Sequence, residues 1–299
     1  MASPGAPQRA ATSEPWRILR WRSRIWAHQE PLAEGVVLTM VRIPAGSFAM
    51  GAPETEAGSS DSERPVHRVT LREFLLGQTP ITQAQWRAVA EWAKPQHVDA
   101  ERWPELLDPD PVAKLNDPER FGGDQRPVVM VSWMEAKAFC ERLRLRTGKH
   151  YTLPSEAQWE YACRAGTATP FHVGATINTE LANYDGDFVY QDGVKGKDRR
   201  RTTEVASFPA NPWGLHDMHG NVWEWCLDHW HDSYAGAPDD GSAWLNDDAN
   251  VNQDQNLQLL RGGSWYSHPG DCRSACRGRS HPGDRGLSFG FRVCCLPQD

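Results

Sequence analysis

The chain has 299 residues and a formal charge of −7, enough length to bury a full core in one or two domains, and an acidic balance that argues against general nucleic-acid binding, whose mark is a basic surface. No apolar run approaches the roughly 18 residues of a membrane span, and the opening MASPGAPQRAATSEPW lacks the apolar stretch of a secretory signal. Seven cysteines, an odd and unevenly spaced set, fit free thiols in a reducing compartment, so a cytoplasmic location is expected.

Residues 1–14 read as a disordered tail, and 15–35 as an N-terminal extension packing on the domain that fills 36–299. Within the extension, Trp16 to Trp26 interleaves arginine with apolar residues, as an edge strand or short helix would with its arginines left wet. Gly35 to Ile43 reads as a strand, Pro44-Ala45-Gly46 as a turn and Ser47 to Gly51 as the returning arm of a hairpin. His67 to Phe74 alternates as a further strand. Three capping boxes then announce helices. Thr82 with Gln85 opens one that runs to about Ala93, Ser132 with Glu135 one that stops at Gly148, and Ser155 with Gln158 one that stops at Gly166. Fourteen tryptophans against six methionines predict a loop-rich core in which each buried indole finds a partner for its N–H.

These elements carry a set of motifs: Ile43 to Gly51, Pro80-Ile81-Thr82-Gln83, Leu153-Pro154-Ser155-Glu156-Ala157-Gln158-Trp159, Gly214 to Trp225, Arg261-Gly262-Gly263-Ser264-Trp265 and Gly290-Phe291-Arg292-Val293. Together they resemble the formylglycine-generating-enzyme (sulfatase-modifying factor) family over about residues 36–295. The resemblance implies an α+β fold of C-type-lectin type with little regular secondary structure. In that family the enzymes oxidise a substrate cysteine with O2 and a copper(I) ion held by two thiolates. The matching positions here are Ser267 and Cys272. A hydroxyl is a poor ligand for soft copper(I), so no copper and no catalytic residue are expected, and Cys272 reads as a small buried apolar residue.

The resemblance also implies structural calcium. Asp217, the carbonyls of Gly220 and Val222, and Glu224 match the ligands of one family site, and Asn183 with Tyr184 the start of a second, whose other half departs from the pattern. Hard oxygen donors suit that ion. His216, His219, His229 and His231 read instead as solvated or core-satisfying histidines.

The 24 residues from Tyr266 to Phe289 contain no Lys, Glu, Gln, Met, Trp or Asn. The first five are the amino acids whose codons never end in a pyrimidine, so randomising the adenines of AAY codons would exclude them. Positions reachable in this way are Tyr266, Ser267, His268, Gly270, Asp271, Cys276, Gly278, Ser280, His281, Gly286, Leu287, Ser288 and Phe289. Between them Pro269, Cys272 to Ala275, Arg277, Arg279 and Pro282 to Arg285 read as fixed framework. The pattern resembles the variable region, here about 260–293, of diversity-generating-retroelement target proteins.

Tyr, His and Phe among Ser, Gly and Asp have the chemistry of an antibody paratope. Arg273, Arg277, Arg279, Arg285 and Arg292 are expected to brace the frame, with Asp284 and the Asp239–Asp248 loop as partners. The sequence therefore reads as a non-enzymatic, calcium-stabilised protein whose C-terminal surface binds an unidentified ligand, expected to be a protein. A divergent cysteine oxidase and a catalytically silent relative with one fixed partner stand as alternatives.

Overall fold

The structure, a computed structural model, describes residues 24–104, 108–246 and 257–297. The tail 1–14 and most of the Trp16–Trp26 strip lie outside these residues.

Among the described residues, three sheets and four α-helices organise the fold. A five-stranded sheet runs β1 (Ala27–Ala33), β2 (Val36–Ile43), β5 (Phe74–Gly77), β11 (Cys294–Leu296), β6 (His150–Thr152), all neighbours antiparallel. A ribbon pairs β3 (Gly46–Met50) with β4 (His67–Leu71). A four-stranded sheet has the order β10 (Phe289–Gly290), β7 (Trp223–His229), β8 (Gln258–Arg261), β9 (Arg277–Ser280), with β10 and β7 parallel. The hairpin expected across Pro44 is absent. β2 pairs with the upstream β1, and β3 leaves for a different sheet. The strand expected from His67 to Phe74 is likewise split in two, because Leu71 and Phe74 belong to different sheets.

The helices are α1 (Gln83–Ala90), α2 (Pro118–Phe121), α3 (Trp133–Thr147) and α4 (Glu156–Arg164). Thr82, Ser132 and Ser155 each complete the expected capping box. α3 ends on Gly148 in the left-handed region, a conformation glycine adopts without a Cβ clash. α4 ends one residue earlier than expected, with Ala165 itself left-handed.

Alternation along β2 divides the core between the two faces of the large sheet. Leu38 and Met40 join Trp86, Phe139 and Phe291 under α1 and α3, whereas Val41 and Ile43 join Trp159, Ala162 and Cys226 under α4. Seven of the twelve described tryptophans place their indole N–H on an acceptor, among them Trp86 on the Asp108 carbonyl at 2.7 Å, Trp133 on Cys226 at 2.8 Å and Trp225 on Val131 at 3.0 Å. All seven cysteines are buried and free. Among the described residues no helix is long and apolar enough to cross a membrane.

Candidate functional site: a C-terminal surface on an arginine frame

From β8 the chain turns sharply through Gly262 and Gly263, whose φ angles of +97° and +71° favour glycine. A Cβ on Gly263 would lie 2.5 Å from the Cys272 sulfur. The segment then passes Ser267, whose carbonyl accepts the Asp185 N–H at 3.0 Å, and makes a one-turn helix over Pro269–Cys272. It returns as β9, loops through 281–288 and re-enters as β10 and β11. The Asp284 carboxylate holds that loop, accepting from Ser280 Oγ at 2.5 Å and the His281 N–H at 3.0 Å.

Four buried arginines fasten this path to the rest of the molecule. Arg261 reaches Glu160 and the carbonyls of Ser274 and Ala275. Arg273 takes Glu63 in a two-pronged grip at 2.8 and 2.9 Å and also donates to Glu56 and the Gly58 carbonyl. Arg277 grips Glu156 at 2.7 and 3.0 Å, and Arg292 grips Glu224 at 2.6 and 2.7 Å. Burial works to raise the Glu156 pKa, but the charges of Arg277 and Arg261 outweigh it and hold the carboxyl below its usual range. Such planar, two-pronged pairs fix direction as well as charge. The partners are therefore glutamates from a loop, α4 and β7; Asp284 binds Ser280 and His281 instead, and of the expected Asp239–Asp248 loop Asp247 and Asp248 lie outside the described residues. Arg279 and Arg285 form only exposed pairs, with Asp232 at 3.2 Å and Glu135 at 2.9 Å.

Of the thirteen positions singled out as changeable, twelve are partly or fully exposed: Tyr266, Ser267, His268, Gly270, Asp271, Gly278, Ser280, His281, Gly286, Leu287, Ser288 and Phe289. Cys276 departs from that expectation. It is buried, with its thiol pushed up to about 12 by desolvation, and belongs to the frame. Of the eleven framework positions, Pro269, Cys272 to Ala275, Arg277 and Pro282 are buried, while Arg279 and Gly283 to Arg285 are exposed. Tyr266 stands 73 % exposed against Trp265, whose indole N–H donates to the Leu287 carbonyl at 3.1 Å. His268 stacks on Phe188 at 3.8 Å between ring centroids. Phe188, 45 % exposed, lies outside the segment and carried no signal in the sequence beyond its aromatic ring.

Glycines repeat the division. Gly262 and Gly263 need their left-handed backbone, whereas Gly270, Gly278 and Gly286 have backbone angles open to any residue. A Cβ at Gly270 would meet nothing nearer than 3.9 Å.

The residues implied for metal ions lie on β7, in the turn before it and, through the Asn183–Gly220 bridge, at 183–184. Asp217 is buried, accepts the Ala206 N–H at 2.8 Å and has its pKa pushed up to about 6 by desolvation. Gly220 forms a parallel bridge with Asn183, so close that a Cβ would sit 2.3 Å from the Asn183 carbonyl oxygen, and Val222 is wholly buried. Both oxygens of Glu224 are engaged by Arg292, and one also by the Trp159 indole at 2.8 Å. A guanidinium thus already meets the charge that calcium would meet at the first position. Asn183 donates to the Arg201 carbonyl and to Asn221, yet its buried Oδ1 has no partner, which fits an oxygen-seeking cation at the second. The Tyr184 hydroxyl donates to the Ile177 carbonyl. The one group of three metal-competent side chains found among the described residues is Asp185, Asp187 and Asp198, of which Asp185 directly follows Tyr184.

Cys272 packs in a small cluster with Phe171, Tyr184 and Tyr190, its thiol pKa driven well up by burial. Ser267 Oγ accepts the Ser264 N–H at 3.1 Å. His219 is buried and fully used, on the Cys272 carbonyl at 2.7 Å and the His172 N–H at 3.1 Å. His216 bonds the Phe208 carbonyl, His229 accepts the Asn246 N–H and His231 stacks on Trp244.

Few helices, curled short sheets and a C-terminal strand closing into the N-terminal sheet define an α+β scaffold of the formylglycine-generating-enzyme type, related to the C-type-lectin fold. Residues 28–295 match the model of the Sulfatase-modifying factor enzyme 1-like domain, and the chain belongs to that family. It is 30% identical over 331 residues to the formylglycine-generating enzyme of Streptomyces coelicolor, covering 96% of this chain and 94% of that one. It is also 32% identical to the serine/threonine-protein kinase pkn1 of Chlamydia pneumoniae and 30% to the hercynine oxygenase of Mycolicibacterium smegmatis, covering 88% and 87% of this chain. The match spans only 39% and 61% of those two relatives' lengths. Among solved structures, PvdO from Pseudomonas aeruginosa superposes with a TM-score of 0.70 at 33% identity, covering 90% of this chain and 98% of that one. Treponema denticola variable protein 1 superposes at 0.64 and 24% identity, covering 91% and 99%, a likeness of fold.

Proposed function

We propose that this protein is a non-enzymatic binder whose segment from Tyr266 to Phe289 presents a diversified surface to a ligand, most plainly a protein. The observation that supports this reading is the division of that segment. Of the thirteen changeable positions five are exposed, seven are half-buried and one is buried, while seven of the eleven framework positions are buried. A segment tuned for one reaction has no reason to sort its residue types by exposure. A scaffold that must keep folding while its surface changes does. Sequencing the locus tests it. A nearby reverse transcriptase and a near-copy of the 260–293 coding region differing at adenines are expected, and an isolated gene without that copy sinks the proposal.

Calcium enters this reading as a clamp on loops that lack regular structure. Asp217 with the carbonyls of Gly220 and Val222 would hold one ion and Asn183 with the Tyr184 carbonyl another. Glu224, already paired with Arg292, is the weakest member of the set.

The cysteine-oxidase reading keeps one supporting feature, Cys272 beside a near full-length relation to a named formylglycine-generating enzyme. Against it stands Ser267, which offers a hydroxyl where a second thiolate is required. Titration with copper(I) under an oxygen-consumption assay separates the two readings: stoichiometric tight copper with turnover establishes the oxidase.

A further inference from the structure

We infer that Asp185, Asp187 and Asp198 complete the calcium position begun by Asn183 and Tyr184, and that an ion held there braces the surface around Ser267 and His268. This rests on the calcium reading above, in which that position has neutral donors alone.

Two chain segments meet at this point. Gly186 accepts the Gly196 N–H at 2.8 Å, and a Cβ on Gly186 would lie 2.7 Å from the carbonyl carbons of Gly196 and Lys197. Only glycine lets the two backbones come so close. The contact sets Asp185 and Asp187 on one segment against Asp198 on the other. One carboxylate oxygen from each lies within 4.8 Å of the other two, the spacing of ligands that share an ion at about 2.3–2.6 Å. Three like charges held so near repel one another. Arg200 offsets part of that charge, with its Nε on Asp198 at 2.9 Å and its side chain 75 % exposed. The Asp187 carboxylate has no hydrogen-bond partner among the described residues.

A second observation points to a ligand independently of the carboxylates. Three buried side-chain oxygens beside them, Asn183 Oδ1, Thr202 Oγ1 and Thr203 Oγ1, have no hydrogen-bond partner. Asn183 is 1 % exposed and Thr202 fully buried. The Asn183 amide is turned toward the segment that carries Asp198, its Nδ2 donating to the Arg201 carbonyl at 2.9 Å. A buried oxygen without a donor is costly, and a cation beside it removes that cost.

The donor set names the ion. Every donor is an oxygen, which suits a hard cation. Donors drawn from two loops fit the flexible shell of calcium better than the strict octahedron of magnesium. The aspartates also supply the negative charge that an amide and a carbonyl lack.

The same turn supports the C-terminal surface. Asp185 donates its N–H to the Ser267 carbonyl at 3.0 Å. Phe188, whose N–H reaches the Asp185 carbonyl at 3.3 Å, stacks on His268. Fixing the Asp185 carboxylate on an ion therefore fixes the backbone beneath two changeable positions.

Equilibrium dialysis of the full chain against calcium alone counts the ions. Asp187→Asn combined with Asp198→Asn should bind one calcium fewer per chain than the parent. Asp192→Asn, which removes an exposed carboxylate of the same loop, should bind the full number. Asn183→Ala should lose the same ion, so adding it to the double variant removes no more. An undiminished count in the double variant, or a second ion lost in the triple, overturns the inference and leaves Asn183 with its neutral donors. A parent that binds no calcium overturns the calcium reading as well. Hydrogen exchange read by mass spectrometry tests the brace. Calcium should slow exchange across 185–190 and 265–271 in the parent and have no such effect in the double variant. Unchanged exchange across 265–271 overturns the brace. Neither measurement uses a ligand of the surface, so both outcomes are independent of the diversified-binder reading.

Discussion

Within one 24-residue stretch the arginines behave in two ways. Arg273 and Arg277 are buried and grip Glu63 and Glu156 with both guanidinium edges, while Arg279 and Arg285 lie at the surface and touch Asp232 and Glu135 through single contacts. The buried pairs tie the segment to residues more than one hundred positions away, and breaking one strands a charge in the core. The exposed pairs exchange with water at little cost. The difference teaches where the segment can change and where it cannot. Removing one partner of a buried pair typically costs about 3–5 kcal/mol. Arg273→Ala, which orphans Glu63 and Glu56, should therefore lower the unfolding free energy by about that amount in a urea titration. A loss under about 1 kcal/mol, the range of a surface pair, would erase the distinction.

A second buried carboxylate sharpens the comparison because no arginine grips it. Asp228 accepts the backbone N–H groups of Glu156 at 2.7 Å and Trp244 at 2.8 Å, and desolvation, aided by the Glu156 charge, pushes its pKa up to about 7. In the unfolded chain it releases its proton near pH 4, while the folded protein retains it. Stability must then fall as pH rises from about 4 to 7, by ~4 kcal/mol at most from this group alone. An amide in its place does not titrate and keeps one acceptor oxygen for two donors. Asp228→Asn should thus be less stable than the parent at pH 4, with the gap closing toward pH 7. Parallel melting curves across that range would show that Asp228 is ionised throughout.

Calcium comes next in size. A ligand at one hundred times its Kd stabilises by about 2.7 kcal/mol, so millimolar calcium after EDTA treatment should raise the melting temperature by several degrees. Asn183→Ala should remove part of that gain. An unchanged melting temperature would mean that the Arg292–Glu224 pair already supplies what calcium would.

The three capped helices were legible because their signals are local: a hydroxyl, a Gln or Glu three residues on, and an apolar face. The expected hairpin across Pro44 failed because alternation reports which face of a strand is buried and says nothing about its neighbour, and β2 found its partner in Ala27–Ala33. The four-residue α2, with Asp117 as its cap and Pro118 at its first position, is too short to show a period. In the C-terminal segment the amino-acid pattern tracked exposure only in part: Cys276, read as changeable, is buried, and Arg279 and Gly283 to Arg285, read as framework, are exposed. What sequence could not supply were the partners that arrive from elsewhere: Glu63 and Glu156 for the arginines, Phe188 for His268 and Trp223 for Gly278.

The smallest expected effects bear most directly on function. Tyr266, His268, Gly270 and Leu287 bury little and hold no other element in place through their side chains, apart from the His268 stack on Phe188. Substitutions at such positions usually stay within about 0.5 kcal/mol. Tyr266→Ser, His268→Asn, Gly270→Ser and Leu287→Ser, alone and combined, should leave the urea midpoint nearly unmoved. All four are residues that a pyrimidine-ending codon can write. Arg285→Ala, a framework position, should also cost less than about 1 kcal/mol, because its pair with Glu135 is exposed. Framework status would then be set by burial rather than by the segment's codon pattern. A combined loss above about 2 kcal/mol from the four surface changes would mean that the outward face shares the load of the arginine frame, and a segment that carries load cannot be freely rewritten.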